Sequence, residues 1–204
     1  YAGTGEPTLG LDNYYGAGML KSTDGGQSWT LLGANVFGGA GVSKIVIDPT
    51  NPNLLYAASA RTGIEGANSP SRGVFKSTDG GQSWQALISC SDCDGVSDLL
   101  INPQTPTTLY AGFFDYGVLR SIDGGQNWQL LGNGLPNPQQ YFVQRTLLSM
   151  SSANPNVIFA SLHVIVADQY DGAVVFKTTD GGQSWTQIST GNFNFCGSQC
   201  WYSH

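Results

Sequence analysis

Ser22-Thr23-Asp24-Gly25-Gly26-Gln27-Ser28-Trp29 decides the fold, because the chain repeats it. The box returns as Ser77 to Trp84, as Ser121-Ile122-Asp123-Gly124-Gly125-Gln126-Asn127-Trp128, and as Thr178 to Trp185. Four of the 5 tryptophans sit in these boxes: Trp29, Trp84, Trp128 and Trp185. So do four of the 14 acids, Asp24, Asp79, Asp123 and Asp180, and four of the 8 basic residues stand directly before them. Much of the charge is thereby committed to architecture, which leaves less for chemistry. The composition is that of a turn. The Gly-Gly pair supplies positive φ. The Asp carboxylate and the Ser or Thr hydroxyl can bond the backbone N–H groups of the same turn. The Trp is expected to open the following strand and bury its ring between units.

A second marker keeps the same period. Asn51-Pro52-Asn53, Thr105-Pro106-Thr107 and Asn154-Pro155-Asn156 each precede a β-rich run. Together the markers give units of four short strands, A to D, every 40 to 60 residues or so, which is propeller periodicity. The spacing predicts strands Val42–Ile47, Leu54–Ser59, Gly73–Lys76 and Trp84–Ile88 in the second unit. The third reads Val96–Ile101, Leu109–Phe113, Gly117–Arg120 and Trp128–Leu131. The fourth reads Arg145–Met150, Val157–Leu162, Val174–Lys177 and Trp185–Ile188. The first shows Tyr1–Gly3, Gly18–Lys21 and Trp29–Leu32, with no strand A. No segment has sustained helical spacing. The expected fold is all-β, a β-propeller of four-stranded antiparallel blades, about four in this chain. Blade 1 spans about 1–33, blade 2 42–88, blade 3 96–131 and blade 4 145–188, and a further or closing blade starts at 196–204.

Bulk composition excludes several classes. Charged residues are 11% of the 204, well below the roughly 25% usual for soluble domains. Net charge is −6, without Lys/Arg clusters, so nucleic acid is not an expected partner. No apolar run reaches the ~18 residues of a membrane-spanning helix. The chain opens on Tyr1 within a strand-like run, which reads as a processed N-terminus or a piece of a longer protein. Cys90/Cys93 and Cys196/Cys200 form two close pairs. A four-thiolate zinc site is one reading. The spacer is far longer than in a zinc ribbon, so disulfides fit better, in any of three connectivities, and imply an oxidising compartment.

The boxes resemble the Asp-box (BNR) repeat, Ser-x-Asp-x-Gly-x-x-Trp, of sialidases, sortilin-type receptors, xyloglucan-cleaving glycosidases and photosystem assembly factors. The likeness covers essentially the whole chain. Tyr1 to Glu6 followed by Tyr14-Tyr15-Gly16-Ala17-Gly18 looks like the opening of large secreted bacterial proteins with these repeats, and Gln199 to Tyr202 like the start of their next blade. The resemblance implies a ring of seven or eight blades and an extracellular or cell-surface location. It specifies architecture more than function. The Arg-x-Pro motif of the sialidases is absent, and only Arg61, Arg72 and Arg145 remain outside the boxes. The catalytic aspartate motifs of the xyloglucanase-like members find no match here.

Antiparallel strands put the A–B and C–D turns on one face of such a ring and the B–C and D–A loops on the other. The second face collects the irregular segments: Glu6–Gly16, Arg61–Arg72, Asp115–Tyr116 and Val166–Asp171 as B–C loops, and Gly33–Gly41, Ser89–Gly95, Gly132–Gln144 and Thr190–Gln199 as D–A loops. Binding resides on such loops. The candidate binding residues are Tyr14, Tyr15, Glu65, Asp115, Tyr116, Asp168, Tyr170 and Asp171. Acids beside aromatic rings suit sugars, and clustered carboxylates with carbonyls suit a structural calcium; no other cofactor is expected. Glu6 with Asp12 is the best carboxylate pair for acid/base work, which needs about 5 to 9.5 Å between carboxyls. Four scattered copies of one box cannot converge on a single site, so the boxes are read as structural. His163 is read as a packed or interfacial histidine.

Blade 1 without its inner strand leaves an open edge. The rest of a larger ring, the chain's own last strand, or the last strand of a neighbouring copy could complete it, the last giving an oligomer or filament. The leading expectation is a secreted, non-enzymatic binding or assembly scaffold taking a glycan or protein ligand. The alternatives are a glycoside hydrolase of the Asp-box superfamily and a subunit of an extracellular fibre.

Overall fold

The computed structural model describes residues 1–8, 13–62, 72–90, 93–166 and 170–189. It holds fifteen strands and one helical turn: β1 Ala2–Gly3, β2 Met19–Lys21, β3 Thr30–Leu32, α1 Ala34–Phe37, β4 Gly41–Asp48, β5 Asn51–Ala60, β6 Gly73–Ser77, β7 Gln85–Ser89, β8 Val96–Ile101, β9 Leu109–Phe113, β10 Gly117–Ser121, β11 Gln129–Leu130, β12 Phe142–Met150, β13 Ile158–Val166, β14 Tyr170–Thr178 and β15 Thr186–Gln187. They pair in chain order as a three-stranded sheet β1-β2-β3 and the four-stranded sheets β4 to β7, β8 to β11 and β12 to β15. Each is an up-and-down meander, the architecture of a β-propeller blade. Two compact units are distinguished, Tyr1–Leu99 and a second beginning at Leu100.

Each box makes the same turn. The glycine pairs adopt φ near 72 and 91, 73 and 91, 73 and 88, and 69 and 86 degrees, left-handed values open to glycine. The second glycine N–H donates to the leading hydroxyl: Gly26 to Ser22 at 2.8 Å, Gly81 to Ser77 at 2.8 Å, Gly125 to Ser121 at 2.9 Å and Gly182 to Thr178 at 3.0 Å. The tryptophans stand one residue before strand D rather than opening it. Three of the indole N–H groups donate back to the second glycine carbonyl, from Trp29 at 3.1 Å and from Trp84 and Trp128 at 3.0 Å. That bond turns the ring onto its own hairpin and keeps the residue out of the ladder. Trp185 is buried, and its indole N–H has no acceptor among the described residues.

The first glycine carbonyl receives the preceding blade. In the first unit, the Tyr1 hydroxyl and Lys21 Nζ donate to the Gly80 carbonyl at 2.9 and 3.1 Å. In the second unit, the Tyr110 hydroxyl and Arg120 Nη1 donate to the Gly181 carbonyl at 2.8 and 2.9 Å. The basic residues before the first and third boxes therefore reach forward, which explains their placement. Lys21 also lies over the Tyr1 ring, 5.2 Å from its centre.

Two segments expected as open loops fill the interior instead. Gly33, at φ 65 degrees, starts α1, whose Phe37 is fully buried and meets Phe75 and Trp84 edge-on at 5.1 and 5.3 Å. Phe37 thus joins the first unit's core with Met19, Val42, Ala57 and Phe75. In the second unit, Leu135 joins a core of Tyr110, Leu131, Val143, Leu162 and Phe176. The fourth blade's hairpin also differs from expectation. β13 continues to Val166 and β14 begins at Tyr170, so the connection is only 167–169. The β-branched run Val164-Ile165-Val166 prolongs the strand.

Trp185 and Trp29 offer a calibrated test of the boxes. Trp185→Ala, at 5% exposure, should cost about 3 to 5 kcal/mol, whereas Trp29→Ala, at 48% exposure, should cost roughly half that or less. Urea unfolding followed by circular dichroism measures both.

Candidate functional site

In the first unit, the segment between β1 and β2 is knotted by polar bonds. The Thr4 hydroxyl accepts from the Ala17 and Gly18 N–H groups at 2.8 and 3.0 Å and donates to the Gly18 carbonyl at 2.6 Å. Buried Asn13 donates through its amide to the Thr8 carbonyl at 2.5 Å and to the Thr8 hydroxyl. The Glu6 N–H donates to the Tyr14 carbonyl at 3.1 Å, and the Tyr14 N–H reaches Glu6 Oε2 at 3.4 Å. This scaffold leaves Glu6 exposed and holds Tyr14 and Tyr15 outward at 77% and 53% exposure. Asp12, expected as its catalytic companion, lies outside the described residues, as do Glu65 and Asp168.

Further along the same unit, the turn after β7 braces both stems of the β5–β6 connection. Cys90 and Cys93 are joined by a disulfide. Their turn accepts from the buried Arg72 guanidinium at the Cys93 carbonyl, 2.9 Å. It also holds Arg61 twice, through the Asp94 carbonyl to the Arg61 N–H at 2.8 Å and through Asp94 Oδ1 to Nε at 2.8 Å. Cys196 and Cys200, the other expected pair, lie outside the described residues. Among the described residues, no group of three or more His, Cys, Asp or Glu gathers for a metal.

In the second unit, Asp115 sits in the β9–β10 turn at φ 71 degrees, a left-handed conformation that Asp tolerates better than most side chains. Its N–H donates to the Val143 carbonyl at 2.6 Å in an isolated antiparallel bridge. Tyr116 and Phe142 are the next residues outward on the two sides of that bridge, 41% and 50% exposed, and Tyr141 follows at 37%. Sequence reading named Tyr116 but missed Phe142, since its strand was expected to start at Arg145. Tyr170 and Asp171, expected in a loop, fall on β14 opposite Val166 and Ile165. His163 is buried on β13 opposite Arg145.

Beside the aromatic residues lies a groove of about 350 Å³, lined by Gly134, Leu135, Pro136, Tyr141, Val164, Val174, Phe176 and Gln187. No signal in the linear sequence marked it, because its walls come from a loop and three strands.

The box aspartates form no shared site, and their chemistry is local. Asp24 and Asp79 are held far below the usual carboxylate range by the hydroxyl and N–H of Ser28 and Ser83, then by the Ser22 and Ser77 hydroxyls. The Ser184 and Thr178 hydroxyls do the same for Asp180. The Asn127 N–H, then its side-chain amide, lower Asp123 to about 2. Carboxylates depressed on folding contribute stability that is complete above their unfolded value near 3.9 and is lost as pH falls through the folded value. The urea midpoint should therefore be insensitive to these four groups from pH 5 to 8 and decline from about pH 4 towards 2. Asp79→Asn should flatten that decline, as read from midpoints measured across the pH series.

The BNR/Asp-box repeat family matches residues 75–86, the strand-and-box segment of the second blade. The chain is 28% identical to a xyloglucanase of Acetivibrio thermocellus over 176 residues, 83% of this chain and 16% of that protein. It is 32% identical to a xyloglucanase of Hypocrea jecorina over 95 residues, 44% of this chain and 10% of that one. The chain thus spans under a fifth of the length of these relatives. Among solved structures, the GH74 enzyme of Niastella koreensis superposes with a TM-score of 0.62 at 22% identity, over 91% of this chain and 27% of that one. An ancestral GH74 enzyme superposes with a TM-score of 0.66 at 24% identity, over 93% and 26%. These superpositions establish the fold. The two curated relatives overturn the expectation of a non-enzymatic scaffold, since both are named as hydrolases of a glycan, and they favour the glycoside hydrolase alternative.

Proposed function

We propose, from the premise that this chain is an array of Asp-box (BNR) repeat blades, that it serves glycoside hydrolysis of a xyloglucan-class polysaccharide. The observation that carries this reading is the alignment with the Acetivibrio thermocellus xyloglucanase over 83% of the chain. The geometry is compatible with it. Exposed rings at Tyr14, Tyr15, Tyr116 and Phe142 offer flat apolar faces to the C–H faces of sugars, and the Tyr hydroxyls offer hydrogen bonds. Glu6, on a segment held by backbone bonds, is the proposed acid/base carboxylate, with Asp12 as its partner. The remaining candidate binding residues, Glu65, Asp115, Asp168, Tyr170 and Asp171, are proposed as secondary glycan contacts. Work on an extracellular polysaccharide, together with the Cys90–Cys93 disulfide, favours secretion. Among the described residues, no helix is long and apolar enough to cross a membrane.

Reducing-sugar release from xyloglucan tests the catalytic half of this reading. The expected result is hydrolysis by the protein and a loss of about 100-fold or more in Glu6→Gln and Asp12→Asn. Absence of hydrolysis, or full activity in both variants, would sink it. The binding half is checked by affinity electrophoresis in gels cast with xyloglucan. Tyr14→Ala and Tyr15→Ala should abolish retardation while leaving the melting temperature within about a degree, since neither ring is buried.

A further inference from the structure

We infer that the groove between β13–β15 and the 134–141 segment is a subsite for one uncharged pyranose unit of a glycan. The inference rests on the glycan reading above but concerns a site distinct from Glu6, and it stands on the groove's own construction.

The floor is one face of the fourth sheet. Leu162 pairs with Val174 and Ala160 with Phe176, so Val174 and Phe176 point to the same side, and Val164 joins them from β13. The register partner of Val164 is Gly172, which contributes no side chain, and the floor is therefore left open at that end. The far wall is Gly134-Leu135-Pro136. It is fixed rather than loose, since the Trp185 N–H donates to the Asn133 carbonyl at 2.8 Å. Gly134, at φ 91 degrees, lies so close to the Trp185 carbonyl that a Cβ would meet it at 2.0 Å. Leu135, Val164 and Phe176 are buried, so the cavity walls are pinned by the core beneath them. A site assembled before its ligand arrives loses little in ordering itself.

Among the described residues, the lining carries no Asp, Glu, Lys, Arg or His. An ionic ligand would enter an apolar cleft without a counter-charge, which is strongly unfavourable. A wholly apolar ligand would leave the polar groups at the mouth unused. Those groups are few, on two exposed lining residues: the Tyr141 hydroxyl, and Gln187, whose Nε2 donates to the Ser189 carbonyl at 3.0 Å and whose Oε1 is an acceptor. Apolar walls with a ring and a small number of hydrogen-bonding groups match a neutral sugar, whose C–H face is apolar and whose rim is hydroxyl. The volume of about 350 Å³ lies at the lower end of the roughly 300 to 1,000 Å³ typical of small-molecule sites, which fits one ring rather than an extended chain.

Methyl NMR of the whole protein tests this directly, using free xylose and glucose as neutral probes and glucuronate as the charged one. The Leu135, Val164 and Val174 methyl signals should shift with the neutral sugars. Tyr141→Ala and Gln187→Ala should weaken that response by about five- to tenfold, and both positions are surface-exposed enough to leave the fold intact. Glucuronate should shift these signals less than glucose at equal concentration. Methyl signals that ignore the neutral sugars, or that respond equally in the two variants or equally to glucuronate, would overturn the subsite. The two readings fail separately. Xyloglucan hydrolysis with silent groove methyls removes the subsite alone, and shifting methyls without hydrolysis remove the hydrolase reading and leave the subsite standing.

Discussion

Each sheet is organised by an aspartate that accepts hydrogen bonds from its own turn. Asp180 takes the Ser184 N–H at 3.0 Å and the Ser184 and Thr178 hydroxyls, both at 2.6 Å. With the carboxylate saturated, the glycine pair is held left-handed, and the first glycine carbonyl is left pointing outward. At two boxes that carbonyl receives the tyrosine hydroxyl and the cation of the blade before it, Gly80 from Tyr1 and Lys21 and Gly181 from Tyr110 and Arg120. A local turn so becomes a joint between sheets. Neutral hydrogen bonds contribute about 1 kcal/mol each and charge-assisted ones somewhat more. The joint's value lies as much in fixing the angle between neighbouring blades of a unit as in energy.

With half of the 8 basic residues and four of the 14 acids placed at the boxes, what distinguishes one blade from another lies mainly at the opposite ends of the sheets. There the two units use different devices. The first holds exposed tyrosines on a segment knotted by Thr4 and Asn13 and braces its next connection with a disulfide and two arginines. The second uses an Asp115–Val143 bridge and a cavity floored by β-strand side chains. Rings and neutral hydrogen-bonding groups recur in both, which suits an uncharged polysaccharide better than an ionic ligand.

The boxes were legible because turn chemistry is local: Asp, Gly-Gly and a hydroxyl within eight residues dictate one geometry wherever they occur. Strand order followed from the same markers. Phe37 and Leu135 were not legible as core, since only the packing of two sheets shows that a connecting segment has apolar space to fill. The extension of β13 and β14 was missed because Tyr170 and Asp171 look like loop residues until Val164 to Val166 pull them into register. The groove depends on Gly172 facing Val164, a pairing invisible before the register is known. The glycoside hydrolase reading stood second in the sequence because the similarity to the xyloglucanase is spread thinly over 176 residues instead of concentrated in one motif.

Every sheet pairs only strands that are neighbours along the chain. Such a meander never has to search for a distant partner before its first ladder can close, because each strand's partner is the next one along the chain. The usual slowness of all-β chains should therefore be relieved here. A ribosome releasing the polypeptide from its N-terminus would expose one completed hairpin after another, and unpaired edges would persist only for the time needed to synthesise the next few dozen residues.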